Sequence, residues 1–118
     1  MHEFSIATEL VAAVVGEAER HGARRVERLE CQCGAMRQIV PAMLIDAFEL
    51  AAVDTLAEGA QLTVKTVPPT VRCRDCGAET QPTDWAVECP RCTSLNIAVE
   101  GGDELLLTSV TLEVDDER

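Results

Sequence analysis

Four cysteines constrain this chain more than anything else in it. Cys73 and Cys76 form one C-x-x-C pair, Cys89 and Cys92 a second, and twelve residues separate the two. Each pair closes a short turn that aims two thiolates at one point, and two such turns complete a tetrahedral sulfur cage of the kind that holds zinc. Gly77, directly after the first pair, permits a backbone conformation that a side chain resists. Pro90 stiffens the second turn. The rival reading is two disulfide-linked or redox-active pairs, and the spacing favours the metal over it. A closed four-sulfur cage leaves no coordination position for substrate, so the spacing predicts a structural zinc ion rather than a catalytic one.

Zinc ribbons often bind nucleic acid, and charge argues against that here. The chain has 21 acidic and 10 basic residues, a formal net charge of −11. Between Val71 and Glu100, Arg72, Arg74 and Arg91 are outnumbered by Asp75, Glu79, Asp84, Glu88 and Glu100. A tetrathiolate zinc centre adds about two further negative charges. Such a surface repels phosphate, so no nucleic-acid partner is expected. No apolar run approaches a membrane span and no basic-then-apolar segment opens the chain, so no membrane partner is expected. Six cysteines in 118 residues also fit a secreted disulfide framework. The metal spacing and the missing signal segment predict a cytoplasmic protein instead.

Hydrophobic residues make up 47% of the chain and aromatics only 3%, so the core must be aliphatic. From Phe4 to His21, Ala7, Leu10, Val11, Val14 and Ala18 recur at helical spacing, and Gly22 is a natural stop. Arg25 to Cys33 alternates as a strand with Leu29, Cys31 and Cys33 on one face. A second helix begins with Pro41 in its first turn and runs toward Gly59, with Leu44, Phe48, Ala51 and Thr55 as its apolar stripe. Leu62 to Val67 is a second strand, ended by Pro68-Pro69. Gly101-Gly102 is a hinge, and Glu104 to Val114 is a last strand with Leu106, Val110, Leu112 and Val114 on one face. The expected fold is α+β: two helices on a small three-stranded sheet, with an inserted four-cysteine zinc-ribbon module. Residues 1–67 plus 103–118 form the first domain, and 68–102 the zinc-binding domain.

Met1-His2-Glu3 is the second feature with chemistry in it. The Met1 amine and the His2 amide close a five-membered chelate ring, and the His2 imidazole closes a six-membered one. With the Glu3 amide in fourth place, the donors form a planar nitrogen field that suits Ni(II) or Cu(II) and disfavours zinc. A terminal histidine is more often a solvated side chain, and the dipeptide alone leaves both readings open. His21 reads as a cation at a helix C-terminus. Cys31 and Cys33 read as small core residues. Trp85 is expected to cover one side of the zinc site. The sequence contains no nucleophile elbow, phosphate loop or Cys–His dyad signature, so no enzyme activity is expected.

Several segments together resemble the HypA/HybF hydrogenase maturation proteins: Met1 to Ala7, His21-Gly22-Ala23, Ala47-Phe48-Glu49, Leu56 to Ala60, both cysteine pairs, and Gly102 to Leu105. The resemblance spans essentially the whole chain in order. It implies a nickel metallochaperone that passes Ni(II) toward the [NiFe]-hydrogenase large subunit with a GTPase partner, and in some organisms toward urease maturation proteins. By the same resemblance, Met1, His2 and Glu3 correspond to the nickel-binding terminus, and Cys73, Cys76, Cys89 and Cys92 to the zinc ligands. Nickel is then cargo, and zinc a structural cofactor. The chain departs from the family at Cys31 and Cys33, where aliphatic residues are usual, and at Ala35, where an acidic residue is common. Thr93 to Asn96 also lacks the histidine that some members carry after the last zinc cysteine. The competing class is a zinc-ribbon adaptor that scaffolds a partner without binding nickel.

Overall fold

The computed structural model describes residues 2–82 and 88–115, and nothing of the His2 side chain. The elements follow in the order α1 (His2–Arg20), β1 (Ala23–Gly34), a short 3-10 turn (Ala35–Arg37), α2 (Pro41–Ala51), β2 (Gln61–Val67), β3 (Thr70–Cys73), β4 (Glu79–Thr80), β5 (Ile97–Glu100) and β6 (Leu105–Val114). They gather into two compact units. The first holds Met1–Gln32, Ile39–Lys65 and Leu106–Arg118, and the second holds Cys33–Gln38 and Thr66–Leu105.

The first unit is two helices with a three-stranded sheet ordered β2-β1-β6. On α1, Ile6, Ala7, Leu10, Val11, Val14 and Ala18 are all buried, as the three- and four-residue spacing dictates. Glu3 in its first turn and Arg20 in its last complement the helix dipole. Gly22, at φ 64°, turns the chain into β1. His21 is exposed at the helix end, its Nε2 3.5 Å from Glu17 Oε2, which is the plain C-terminal role. Leu44 and Phe48 carry the buried face of α2, each contributing about 1.5–3 kcal/mol through removal from water.

Two details differ from the sequence expectation. Helix α2 stops at Ala51, well short of Gly59; Ala52 is buried just beyond it, and Thr55 is half-buried in a run of turns. The helix ends because Asp54 adopts a left-handed backbone at φ 65°, where an Asp is tolerated and helix cannot continue. Glu58 Oε1 accepts the Asp54 N–H at 2.8 Å, and Thr55 Oγ1 donates to the Ala52 carbonyl, so the freed backbone groups find local partners. On β6, Leu106 and Val114 are half exposed while Val110 and Leu112 are partly covered. The alternation slips along this strand, which lies at the sheet edge and has a neighbour on one side only. Its outer half is anchored by charge: Arg25 Nε donates to Glu113 Oε2 at 3.1 Å, and Arg24 Nη1 to Asp115 Oδ1 at 3.2 Å.

The second unit has its own three-stranded antiparallel sheet, ordered β4-β3-β5. Val71 faces Thr80 on one side and Val99 on the other. At its root, Gly34 N donates to the Glu104 carbonyl at 2.7 Å and Met36 N to the Gly102 carbonyl at 2.6 Å. Backbone meets backbone so closely there that a Cβ at Gly34 would fall inside the Gly102 carbonyl, so no other residue fits without a shift. Gly102 also has φ 83°, which only glycine adopts freely.

Candidate metal centre

Strand β3 ends on Cys73, and the chain turns at once through Arg74, Asp75 and Cys76. Gly77, at φ 75°, closes that turn and donates its N–H to the Cys73 carbonyl at 3.1 Å. The second turn repeats the device. Thr93, at φ 64°, donates to the Cys89 carbonyl at 2.9 Å. A β-branched residue there is strained, because the left-handed region costs about 1–2 kcal/mol for a residue with a Cβ. Glycine relieves that strain but gives back about 0.5–1 kcal/mol through its unfolded-chain freedom. Thr93→Gly is therefore expected to raise the melting temperature of the metal-loaded second unit modestly, a gain of about 0.5–1 kcal/mol.

The two turns bring the sulfurs of Cys73, Cys76, Cys89 and Cys92 within 4.8 Å of one another. Cys73 Sγ lies 3.6 Å from Cys92 Sγ, and Cys76 Sγ 3.7 Å from Cys89 Sγ. A tetrahedron with zinc–sulfur bonds of about 2.3 Å has an edge of about 3.8 Å, so the donor set fits such an ion. These separations are far beyond a disulfide bond of about 2.05 Å. Cys73 and Cys89 are buried, and Cys76 and Cys92 are exposed. The cluster is consistent with a zinc ribbon.

Backbone amides tune the two inner sulfurs. Cys76 N and Asp75 N each donate to Cys73 Sγ at 3.4 Å, and Arg91 N and Cys92 N donate to Cys89 Sγ at 3.4 and 3.5 Å. The amide of Cys76 leads in lowering Cys73 to about 7, joined by that of Asp75 and by its sulfur neighbours against the effect of burial. The Cys92 and Arg91 amides likewise lower Cys89. Cys92 goes the other way. The Ser94 amide favours its thiolate, but hydrogen bonding with Cys73, partial desolvation of the sulfur and the other two sulfurs together push it up to about 12. A divalent ion bound by these sulfurs requires them as thiolates, so its binding displaces protons.

Cys31 and Cys33 are buried on β1, on the same face as Leu29. Burial raises the Cys33 thiol, opposed by the nearby Arg37 charge, so it stays protonated at neutral pH. Neither belongs to the sulfur cluster. Replacing both by Val should leave metal stoichiometry unchanged and alter stability by about 1–2 kcal/mol in either direction. Metal analysis together with a denaturation curve checks both numbers.

At the N-terminus, His2 opens α1, while Met1 and the His2 side chain lie outside the described residues, as does Trp85. Glu3 is half-buried, and its Oε2 accepts the Val40 N–H at 3.4 Å. The polar side chains that tie the two cysteine turns together, Arg74, Asp75, Ser94 and Asn96, had no signature in the spacing.

Residues 1–112 match the family model described as hydrogenase/urease nickel incorporation, metallochaperone, HypA. The chain belongs to the HypA family. Among HypA relatives, the hydrogenase maturation factor HypA of Picosynechococcus sp. is 43% identical over 110 residues, covering 93% of this chain and 97% of that one. That of Chlorobium limicola is 40% identical over 116 residues, covering 98% and 100%. The solution structure of the nickel metallochaperone HypA from Helicobacter pylori shares the fold, with a TM-score of 0.65 at 24% identity, covering 98% of this chain and 100% of that one. HypA proteins are metallochaperones and maturation factors rather than catalysts, in agreement with the sequence expectation.

Proposed function

We propose that this chain is a nickel carrier for [NiFe]-hydrogenase maturation. In this reading Met1, His2 and Glu3 hold Ni(II) as cargo, and Cys73, Cys76, Cys89 and Cys92 hold a structural zinc ion. Residues 1–67 plus 103–118 act as the nickel-binding domain and 68–102 as the zinc-binding domain. The observation that carries it is the family match, which begins at residue 1 and so takes in the Met-His-Glu terminus. The tetrathiolate supports zinc at the other site, because sulfur donors in a tetrahedron suit zinc and a planar nitrogen field suits nickel. Delivery runs toward the hydrogenase large subunit with a nickel-handling GTPase, and in some settings toward urease maturation proteins. The compartment is the cytoplasm, whose reducing poise keeps cysteines available to metal.

Nickel titration of the zinc-loaded protein with a free and with an acetylated N-terminus tests this. A carrier loses its amine ligand on acetylation and binds far more weakly. A zinc-ribbon adaptor without nickel shows no specific binding in either form.

A further inference from the structure

The two cysteine turns touch through more than their sulfurs. Asp75, inside the first turn, has a carboxylate that accepts the hydroxyl of Ser94 on one oxygen and Asn96 Nδ2, at 3.4 Å, on the other. Ser94 and Asn96 directly follow the second turn, and Ser94 Oγ accepts the Asn96 N–H at 3.0 Å. Arg74 adds a second strap: its N–H donates to the Asn96 carbonyl at 3.0 Å, and its Nη1 to Asn96 Oδ1 at 3.1 Å and to the Ile97 carbonyl at 3.3 Å. Four residues that supply no sulfur thus join the halves of the cage.

We infer that Asp75 and Asn96 are positioning residues for the metal site, a polar latch that holds the two cysteine turns in register and slows release of the ion. For a tetrathiolate to lose its metal, one pair of sulfurs must swing away from the other, and that opening has to break the bonds centred on Asp75. Residues outside the ligand set that orient it are commonly worth ten- to a hundredfold in metal affinity. Asn96 separates a latch from simple charge. The metal leaves as a dication, so neutralising Asp75 would ease its departure through charge alone, whereas Asn96→Ala breaks the same network without changing any charge. A latch predicts faster release from that neutral variant as well.

The inference rests on the four-sulfur reading of the site, and the experiment tests the two separately. Zinc-loaded full-length protein is mixed with excess 4-(2-pyridylazo)resorcinol, and release is followed for wild type, Asp75→Asn, Asn96→Ala and the double variant. Co(II)-substituted samples report the ligand set by their sulfur charge-transfer bands. The expected result is release about ten- to a hundredfold faster in each single variant. The cobalt spectrum stays that of four thiolates, and the double variant is no faster than the quicker single, because both break one network. Should Asp75→Asn fail to fold, Ser94→Ala removes one donor only and should still accelerate release. Unchanged or slower release in these variants, or additive effects in the double variant, overturns the latch. A wild-type cobalt spectrum without four-thiolate character overturns the metal reading itself.

Discussion

Replacing Cys76 by Ser, or stripping the metal with a chelator, is expected to unfold the second unit while α1 and α2 stay formed. Among the described residues from Thr66 to Leu105, the buried side chains are those of Pro69, Val71, Cys73 and Cys89. Two of those four belong to the metal cage. A tetrathiolate zinc site supplies roughly 10–16 kcal/mol of apparent binding free energy, which exceeds what so small an apolar cluster contributes by itself. The first unit keeps its own aliphatic layer of Ile6, Leu10, Val14, Val26, Leu29 and Leu44, with Phe48 among them. Amide spectra of Cys76→Ser should therefore lose dispersion from Thr66 to Leu105 and keep it through both helices. Global loss of helical circular dichroism would contradict this division.

His2→Ala is expected to abolish specific nickel binding and to spare zinc and fold. In the proposed site His2 supplies both an amide and an imidazole to one planar field. Without the imidazole the six-membered ring opens, and protons then outcompete nickel for the remaining amides near neutral pH. His21 cannot replace it: nineteen helical steps at 1.5 Å each place it about 28 Å along α1. Bound nickel in the wild type should be diamagnetic with a visible d–d band, as a planar field requires. Wild-type nickel affinity in His2→Ala would remove the ligand assignment.

Some of this was legible in the residues because its physics is periodic. The buried face of α1 could be read from steps of three and four, and the metal cage from two C-x-x-C pairs, because each signal repeats at the period of the structure that makes it. The end of α2 could not be read so. Ala51, Ala52 and Val53 continue an apolar helical pattern, and the stop is a single left-handed backbone at Asp54. Thr93 escaped for the same reason: glycine advertises a left-handed turn at Gly77, and threonine hides one. The partial exposure of the β6 apolar residues has no local sign, because edge position depends on which strands pair, and pairing is non-local. The Asp75 bonds reach across nineteen residues to Ser94 and leave no local trace.

The register that sets Thr70 opposite Glu100 has a kinetic corollary. The segment between β2 and β6 leaves and returns through paired ends, so once β3 and β5 have zipped, β6 follows β5 by only the short Gly101–Glu104 connection. Its search for β1 is then a short-loop closure. In the metal-free chain the same search must close a long flexible loop, and the logarithmic growth of closure entropy sets the difference at about 1 kcal/mol. Non-local pairing of that kind also slows folding. Metal loading should therefore speed formation of a β-sheet that contains none of the four clustered cysteines, with the metal acting on that sheet through chain entropy alone.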